Sequence, residues 1–175
     1  MWHGGISGEN SLFLHAKRPV RDRDKTSPYL HELFHVLQPF KPGADADWFV
    51  EGLAEFYSLE LQRRAGLLDE RTFFKALRLF ERYGVWNVDL RTQHDNSATN
   101  NSAPLVLYAL DQRLQRLTAG KARLDDVVRR LGEYQKPVDS AALQLAAEAV
   151  AGQSLAQFFQ RYVYAGQIPR FNRVD

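Results

Sequence analysis

Apolar residues recur every three or four positions over most of the chain, and short polar stretches with proline or glycine separate these runs. This spacing places the apolar side chains on one face and predicts amphipathic helices. The predicted helices span about 28–38, 47–64, 69–83, 103–118, 124–133, 140–151 and 154–164. The pattern therefore predicts a protein built mainly from helices.

The ends of the first two helices are marked by residues typical of helix termini. Ser27 followed by Pro28 is typical of an N-cap and a first helical residue. Asp45 or Asp47 is expected to cap the second helix, and Gly66 to stop it. The connection between the two helices is about ten residues long, which allows them to lie antiparallel.

Two parts of the chain lack the helical period. Residues 11–16 form a short strand candidate after a glycine-rich turn. Within 85–101, Trp86 and Val88 suggest an extended piece, and 95–101 is expected to be a loop. The predicted fold class is mainly α with an α+β remnant, namely a short N-terminal strand region and a helical bundle. The 175 residues are expected to form one domain.

Within this domain three parts are expected. Residues 1–25 form an edge-strand segment, 26–66 form the first helix pair, and 67–175 form a helical subdomain.

Composition removes several classes of function. The chain is 45% apolar and 25% charged with a net charge of +2, which does not favour nucleic acid as a partner. The sequence has no apolar run long enough for a membrane span and no signal peptide, so we expect a cytoplasmic chain or part of a longer exported precursor. It has no cysteine, which excludes disulfides, thiol catalysis and thiolate metal ligands. The compartment itself stays open.

The first helix carries the sequence His31-Glu32-Leu33-Phe34-His35. Residues four apart stack on one face of a helix, so His31 and His35 can bind one metal ion together. Glu51 in the second helix supplies a third ligand, which leaves the fourth position of one Zn²⁺ ion to water. Glu32, turned by about 100° from His31, is placed to activate the zinc-bound water.

Glu55 follows Glu51 by one helical turn and is expected to accept a hydrogen bond from a ligand imidazole. In the alternative interpretation, His31 and His35 are ordinary, partly buried histidines and Glu51 is a solvated charge. The low chance frequency of the motif favours the metal site. The apolar neighbours in the two helices are expected to be core: Phe34, Val36, Leu37, Phe49, Leu53, Ala54 and Phe56.

The two helices, read as HELFH and WFVEGLAEFY, resemble the gluzincin metallopeptidases and, within them, the catalytic domain of the glycyl-aminopeptidase family. Three further segments are similar to that family: 4–11, with its glycine pair, 119–127 and 151–163. The resemblance implies a thermolysin-like catalytic domain with one zinc ion on His31, His35 and Glu51, and Glu32 as the general base.

The same resemblance implies a peptide as the partner. Glu9 would bind the free α-amine of the substrate, although its spacing from Gly5 departs from the family pattern, and a turn residue without function is the equal alternative. The strand at 11–16 would pair with the substrate backbone. Family members also carry a β-rich N-terminal domain and often a peptide-binding module, and neither is found in this sequence.

One position departs from the family in a way that affects catalysis. Related enzymes place a tyrosine just before the helix that matches 103–118, where its hydroxyl stabilises the oxyanion, and Asn100 or Asn101 stands there in this chain. An asparagine amide could donate instead. Tyr83, His94 or Tyr108 could also reach the site from elsewhere, although each has a purely structural alternative.

The sequence therefore predicts a zinc-dependent peptidase of the aminopeptidase type, acting on peptides with small N-terminal residues. The alternative is a zinc-bearing, catalytically weak or inactive domain that binds peptides or supports a larger protein. The missing tyrosine motivates this alternative, because loss of one oxyanion donor costs on the order of 10²–10³ in rate.

Overall fold

The computed structural model describes residues 5–8, 11–15, 17–94 and 97–169, and it is mainly helical, as predicted. The elements in chain order are two strands, β1 (Gly5–Gly8) and β2 (Ser11–Leu14), and seven α-helices: α1 (Pro28–Leu37), α2 (Asp47–Arg64), α3 (Glu70–Tyr83), α4 (Ala103–Leu117), α5 (Leu124–Leu131), α6 (Ser140–Ala151) and α7 (Ala156–Phe159). A 3₁₀ turn spans Leu90–Thr92, and π-helical turns span Ala98–Ser102 and Gln160–Tyr164.

The two strands form an antiparallel pair at the front of the chain. Gly5 lies opposite Leu14, and Gly8 lies opposite Ser11. The sheet packs against α1, the helix that carries the HELFH sequence. The predicted strand is therefore present, although β2 ends at Leu14 and residue 16 lies outside the described part of the chain.

Several helix ends lie where the sequence predicts them. Ser27 caps α1, with its Oγ 3.5 Å from the backbone N of Leu30. Asp69 caps α3 and accepts a hydrogen bond of 2.7 Å from the N–H of Thr72. Gly66 follows α2 with a φ of 71°, a left-handed conformation that favours glycine.

The predicted cap of α2 is wrong, because neither Asp45 nor Asp47 caps it. The N-cap position is Ala46, and no side chain bonds to the free N–H groups there. Asp45 instead accepts a hydrogen bond of 2.8 Å from the backbone N–H of Ser140, at the start of α6. The sequence therefore suggests that Asp45 is a local helix cap, whereas in the structure its side chain makes a long-range contact with α6.

The region before α4 also differs from the prediction. Residues 98–102 form a π-helical turn that continues into α4 rather than a loop, and Thr99 and Ser102 are buried in it. This turn packs against α2 and α3, which favours helical backbone in spite of its polar sequence. Trp86 lies in irregular backbone and Val88 in a bend, and neither belongs to a strand.

Helix α2 lies at the centre of the molecule and packs against α1, α3, α4 and the π-helical turn. Gly52 allows the closest approach, because a Cβ at this position would lie 2.7 Å from the Cβ of Ala103 in α4. Phe49 and Phe56 are fully buried in this core, as predicted. Leu37 is a correction: this last residue of α1 is 67% exposed.

The last predicted helix is also shorter than expected. It begins at Ala156 and, after Phe159, continues as the π-helical turn Gln160–Tyr164.

None of the described helices combines the length and the apolar character that a membrane span requires.

Candidate metal centre

His31, His35 and Glu51 meet at one point between α1 and α2 and could together hold a metal ion. The Nε2 atoms of the two histidines are 3.2 Å apart. Glu51 places Oε2 3.4 Å from Nε2 of His31, and Oε1 3.5 Å from Nε2 of His35. All three side chains are partly buried, so the donor atoms face each other at the edge of the helix pair.

The spacing of the two helices explains this convergence. His31 and His35 stand one turn apart on α1, and the connection that starts at Pro39 returns the chain so that α2 packs against that face. The return is held by a short parallel bridge between Pro42 and Val138, in which Gly43 donates a backbone hydrogen bond of 2.7 Å to Val138. The short connection is therefore tied to the body of the protein.

Three carboxylates at successive turns of α2 each lie beside a histidine. Glu51 faces both ligand histidines, Glu55 faces His31 from one turn further on, and Asp47 contacts His94 one turn earlier. Residues four apart lie about 6 Å apart along a helix, so this stripe is about 12 Å long. The carboxylates on this face of α2 thus contact all the histidines between residues 31 and 94, namely His31, His35 and His94.

Glu55 lies beside His31. Its Oε1 is 3.2 Å from Nδ1 of His31, on the opposite side of the ring from the shared Nε2 position. Nδ1 of His31 and Oε2 of Glu55 are both buried without a hydrogen-bond partner in the described residues. The contact is electrostatic at this geometry, and it favours the tautomer that leaves Nε2 free for a metal.

The electrostatics of this cluster favour a cation. Burial opposes protonation of His31, but Glu51 and Glu55 outweigh it and raise the pKa of His31 above its ordinary range. Burial likewise opposes ionisation of Glu51, but the two histidines outweigh it and lower the pKa of Glu51. Two carboxylates beside His31, one at each ring nitrogen, create a negative potential that a cation would neutralise.

Glu32 lies next to His31 on α1 and is partly buried. Its side chain makes no ion pair or hydrogen bond within the described part of the chain, unlike Glu51 and Glu55. A carboxylate without a structural partner beside a metal position is free to accept a proton from water.

The donors suggested for the oxyanion do not all lie near this cluster. Tyr108 is buried against α3, with its ring 5.7 Å from that of Phe73 and 6.4 Å from that of Phe74. Asn101 and Tyr83 line a separate cavity of about 710 Å³ beside the loop that precedes α1. Tyr108 thus belongs to the core, while Tyr83 and Asn101 border this cavity.

The two remaining candidates for the oxyanion donor are Asn100 and His94. Asn100 is partly buried in the π-helical turn and accepts a hydrogen bond of 3.2 Å from Thr99. His94 is exposed, and its Nδ1 lies 2.6 Å from Oδ2 of Asp47. Since Asp47 precedes Glu51 by one turn of the same face, this contact holds His94 at the end of the α2 stripe.

Sequence reasoning missed the role of Asp47, which it treated as a possible helix cap. The i, i+4 spacing of Asp47, Glu51 and Glu55 contains the signal, since it puts all three on one face. Glu9, the suggested amine-binding residue, lies outside the described residues.

A second layer of contacts fixes α1 on α2. Phe34, next to His35, stacks on the ring of Tyr57 at 5.6 Å. The hydroxyl of Tyr57 donates a hydrogen bond of 2.9 Å to Asp125, which also accepts from Arg64 at 2.6 Å. The orientation of the HELFH helix is therefore supported by α5 as well as by α2.

Comparisons of this chain with family models, with curated proteins and with solved structures find no match. The function must therefore be argued from the geometry and chemistry of the site.

Proposed function

We propose that this chain is a zinc-dependent peptidase of the aminopeptidase type, with the thermolysin-like architecture of the gluzincins. The observation that carries the proposal is the convergence of two imidazole nitrogens and one carboxylate, 3.2–3.5 Å apart, beside a glutamate without a structural partner. Glutamate between two histidine ligands in a helix is the arrangement of zinc peptidases.

The donor set and its spacing fit zinc. Ligands at about 2.0–2.1 Å from a tetrahedral zinc ion lie about 3.3 Å from one another. Here the two Nε2 atoms are 3.2 Å apart, and Glu51 places one oxygen 3.4 Å from His31 and its other oxygen 3.5 Å from His35. Two nitrogens and a carboxylate are also the set found in catalytic zinc sites that keep one open position. Calcium and magnesium prefer oxygen ligands alone, which disfavours them here.

When bound, the zinc ion would act as a Lewis acid toward the scissile carbonyl and lower the pKa of a water molecule. Glu32 would accept a proton from the attacking water on its carboxylate and later transfer it to the leaving amine. Glu55 would hold His31 in the tautomer that leaves Nε2 unprotonated. Each role uses a side chain that already faces, or is free to face, the cluster.

We assign the oxyanion donor to His94. Two observations support this choice over the other candidates. Tyr108 and Asn101 line other parts of the protein, whereas His94 is held by Asp47 one turn from Glu51. The contact at Nδ1 orients the ring, and Nε2 is a second donor when the ring is the doubly protonated imidazolium. An exposed histidine can also approach a substrate that occupies the open side of the cluster.

The substrate we propose is a short peptide with a small N-terminal residue. Strand β2 has a single strand partner, β1, in the described part of the chain, so an extended peptide could add to the sheet by backbone hydrogen bonds. The specificity itself rests on the family resemblance, as does the proposal of a β-rich N-terminal domain and a peptide-binding module in a longer protein.

Metal analysis combined with a substrate scan tests this function. The purified chain should contain one zinc ion and cleave aminoacyl-coumarin substrates, and a chelator should abolish the cleavage. Glu32→Gln should retain zinc while turnover falls by at least about 10²-fold, because the general base is lost. Glu133→Gln, a change at an exposed glutamate after α5, is the matched control and should leave both unchanged.

A protein that binds no zinc would contradict the proposal. A second function is favoured by one observation: the ring of Tyr108 is buried against α3, and Tyr83 and Asn101 line the cavity beside the loop that precedes α1. In that case the chain is a zinc-bearing domain that binds peptides with little turnover. Stoichiometric zinc, peptide binding, and hydrolysis no faster in the wild type than in Glu32→Gln would support this second function.

A further inference from the structure

A cavity that shares no lining residue with the candidate metal cluster lies between α4 and the last helical segment, which consists of α7 and the π-helical turn Gln160–Tyr164. Its volume is about 300 Å³, and its lining includes three arginines, Arg113, Arg116 and Arg161, with two glutamines and the rings of Phe158 and Tyr162. None of the lining residues in the described part of the chain is acidic. Small-molecule sites begin at about this volume.

The positive charge of this cavity is not neutralised by the protein. Arg113 and Arg116 form no ion pair in the described residues, although they stand three residues apart on α4, where like charges repel. Other arginines of the chain do have carboxylate partners, such as Arg64 with Asp125 at 2.6 Å and Arg129 with Asp126 at 2.7 Å.

The sequence explains why no acid is nearby. Residues 112–124 contain no aspartate or glutamate, and residues 149–174 contain none either. Apart from Ala109, every lining residue belongs to one of these two acid-free segments, so the fold brings together cations from both with no acid in the lining.

The third arginine is held in position. Nε of Arg161 donates a hydrogen bond of 2.9 Å to Gln167, and its guanidinium carbon lies 5.4 Å from the centre of the Tyr162 ring. Tyr162 in turn packs against Phe158 at 4.8 Å. With Nε occupied, the two terminal nitrogens remain as a fork that can bind an oxyanion.

We propose that this cavity is a binding site for a phosphate group, carried either by free phosphate or by a small phosphate ester. Three guanidinium groups match the charge of about −1.5 to −2 on a phosphate monoester better than that of a carboxylate. The neighbouring glutamine amides can donate to further phosphate oxygens. This site is independent of the metal centre and of the proposed peptidase activity.

Isothermal titration of the metal-loaded, full-length chain at low ionic strength tests the site, with inorganic phosphate, adenosine 5′-monophosphate and acetate as probes. We expect saturable 1:1 binding of a phosphate probe and binding of acetate that is at least about tenfold weaker. Tighter binding of the nucleotide would identify a phosphate ester as the ligand, and tighter binding of inorganic phosphate would identify the free ion.

A double variant that carries both Arg113→Gln and Arg161→Gln should bind phosphate at least about tenfold more weakly than the wild type. Arg78→Gln removes an exposed arginine of α3 that lines no cavity described here, and it should change nothing. A melting curve checks that the double variant folds. If it does not, protection of Arg113, Arg116 and Arg161 from phenylglyoxal by phosphate in the wild type, read by mass spectrometry, replaces it.

Several outcomes would overturn the proposal. One is an equal loss in Arg78→Gln, which would indicate surface charge alone. Another is binding that survives in the double variant but disappears with a chelator, which would place the phosphate on the metal. Affinity for single-stranded oligonucleotides that rises steadily with length would indicate an extended nucleic-acid surface instead.

Discussion

Nδ1 of His94 lies 2.6 Å from Oδ2 of Asp47, and Asp47 stands one turn before Glu51 on the same face of α2. The candidate metal cluster and His94 are thus linked through α2. Two regions that are distant in sequence, the connection after α3 and the start of α2, meet at this pair.

Replacement of His94 should lower the rate while leaving the metal in place. For His94→Ala we expect kcat/KM to fall by about 10²–10³, the usual cost of one oxyanion donor, with an unchanged zinc content. Asp47→Asn should cause a smaller loss, because the ring remains but its orientation is less well held. Steady-state kinetics and metal analysis measure both effects.

Asn101→Ala is the control for this prediction. Asn101 lines a different cavity, so its replacement should leave kcat/KM unchanged. A large rate loss in Asn101→Ala together with none in His94→Ala would contradict the assignment of His94. It would indicate that the π-helical turn supplies the oxyanion donor instead.

Replacement of Glu55 should weaken metal binding. A carboxylate behind a ligand histidine typically contributes 10–100-fold to metal affinity, so Glu55→Gln should raise the zinc dissociation constant by about that factor. Competition with a zinc-binding dye measures it. Glu133→Gln, which changes the same residue type at an exposed site, should have no effect, and equal affinities for Glu55→Gln and wild type would show that Glu55 does not act through His31.

Gly52 should be intolerant of a side chain. A methyl group there would lie 2.7 Å from the Cβ of Ala103 and 2.9 Å from Cδ1 of Leu107, so α2 and α4 would have to separate. We expect Gly52→Ala to lower the free energy of unfolding by about 1–3 kcal/mol, as measured by urea denaturation.

The double variant Gly52→Ala with Ala103→Gly tests the cause of that loss. Removal of the opposing Cβ should recover part of the lost stability, so the two changes should not be additive. Strict additivity would mean that the contact between residues 52 and 103 is not the source of the effect.

Glu60 should make stability depend on pH. Its side chain is only 1% exposed and accepts hydrogen bonds from Arg63 at 2.7 Å and Arg64 at 2.8 Å. Burial opposes ionisation of Glu60, but the two arginines outweigh it and lower its pKa. A lowered pKa in the folded state stabilises the protein above the ordinary pKa of glutamate, and this stabilisation is lost as the pH falls through the folded-state pKa.

Glu60→Gln should therefore lower the free energy of unfolding by about 2 kcal/mol at pH 7, and the difference from wild type should shrink toward pH 3. Glu70→Gln is the control, because Glu70 is 57% exposed and its ion pair with Arg63 should contribute less than about 1 kcal/mol. A difference between Glu60→Gln and wild type that does not vary with pH would contradict this account.

The sequence alone predicts most of the helical framework, and the reason is local. Apolar periodicity marks the helices, and Ser27, Asp69 and Gly66 mark ends that depend on hydrogen bonds within a few residues. The i, i+4 spacing of His31 and His35 likewise follows from helix geometry alone.

Other assignments could not be made from the sequence because they depend on partners far along the chain. Asp45 looks like a cap of α2 but bonds to the backbone of Ser140. The polar segment 98–102 looks like a loop but becomes a π-helical turn, because it is buried against α2.

The candidate site likewise has a part that the sequence predicts and a part that depends on tertiary contacts. The sequence by itself determined the two histidines, the glutamate between them and a third carboxylate one helix away, because helical spacing fixes their directions. Only the tertiary structure decided that Glu51 meets both Nε2 atoms, that Tyr108 lies in the core, and that Asp47 holds His94. Such contacts depend on how whole helices pack against one another, and local spacing carries no information about that packing.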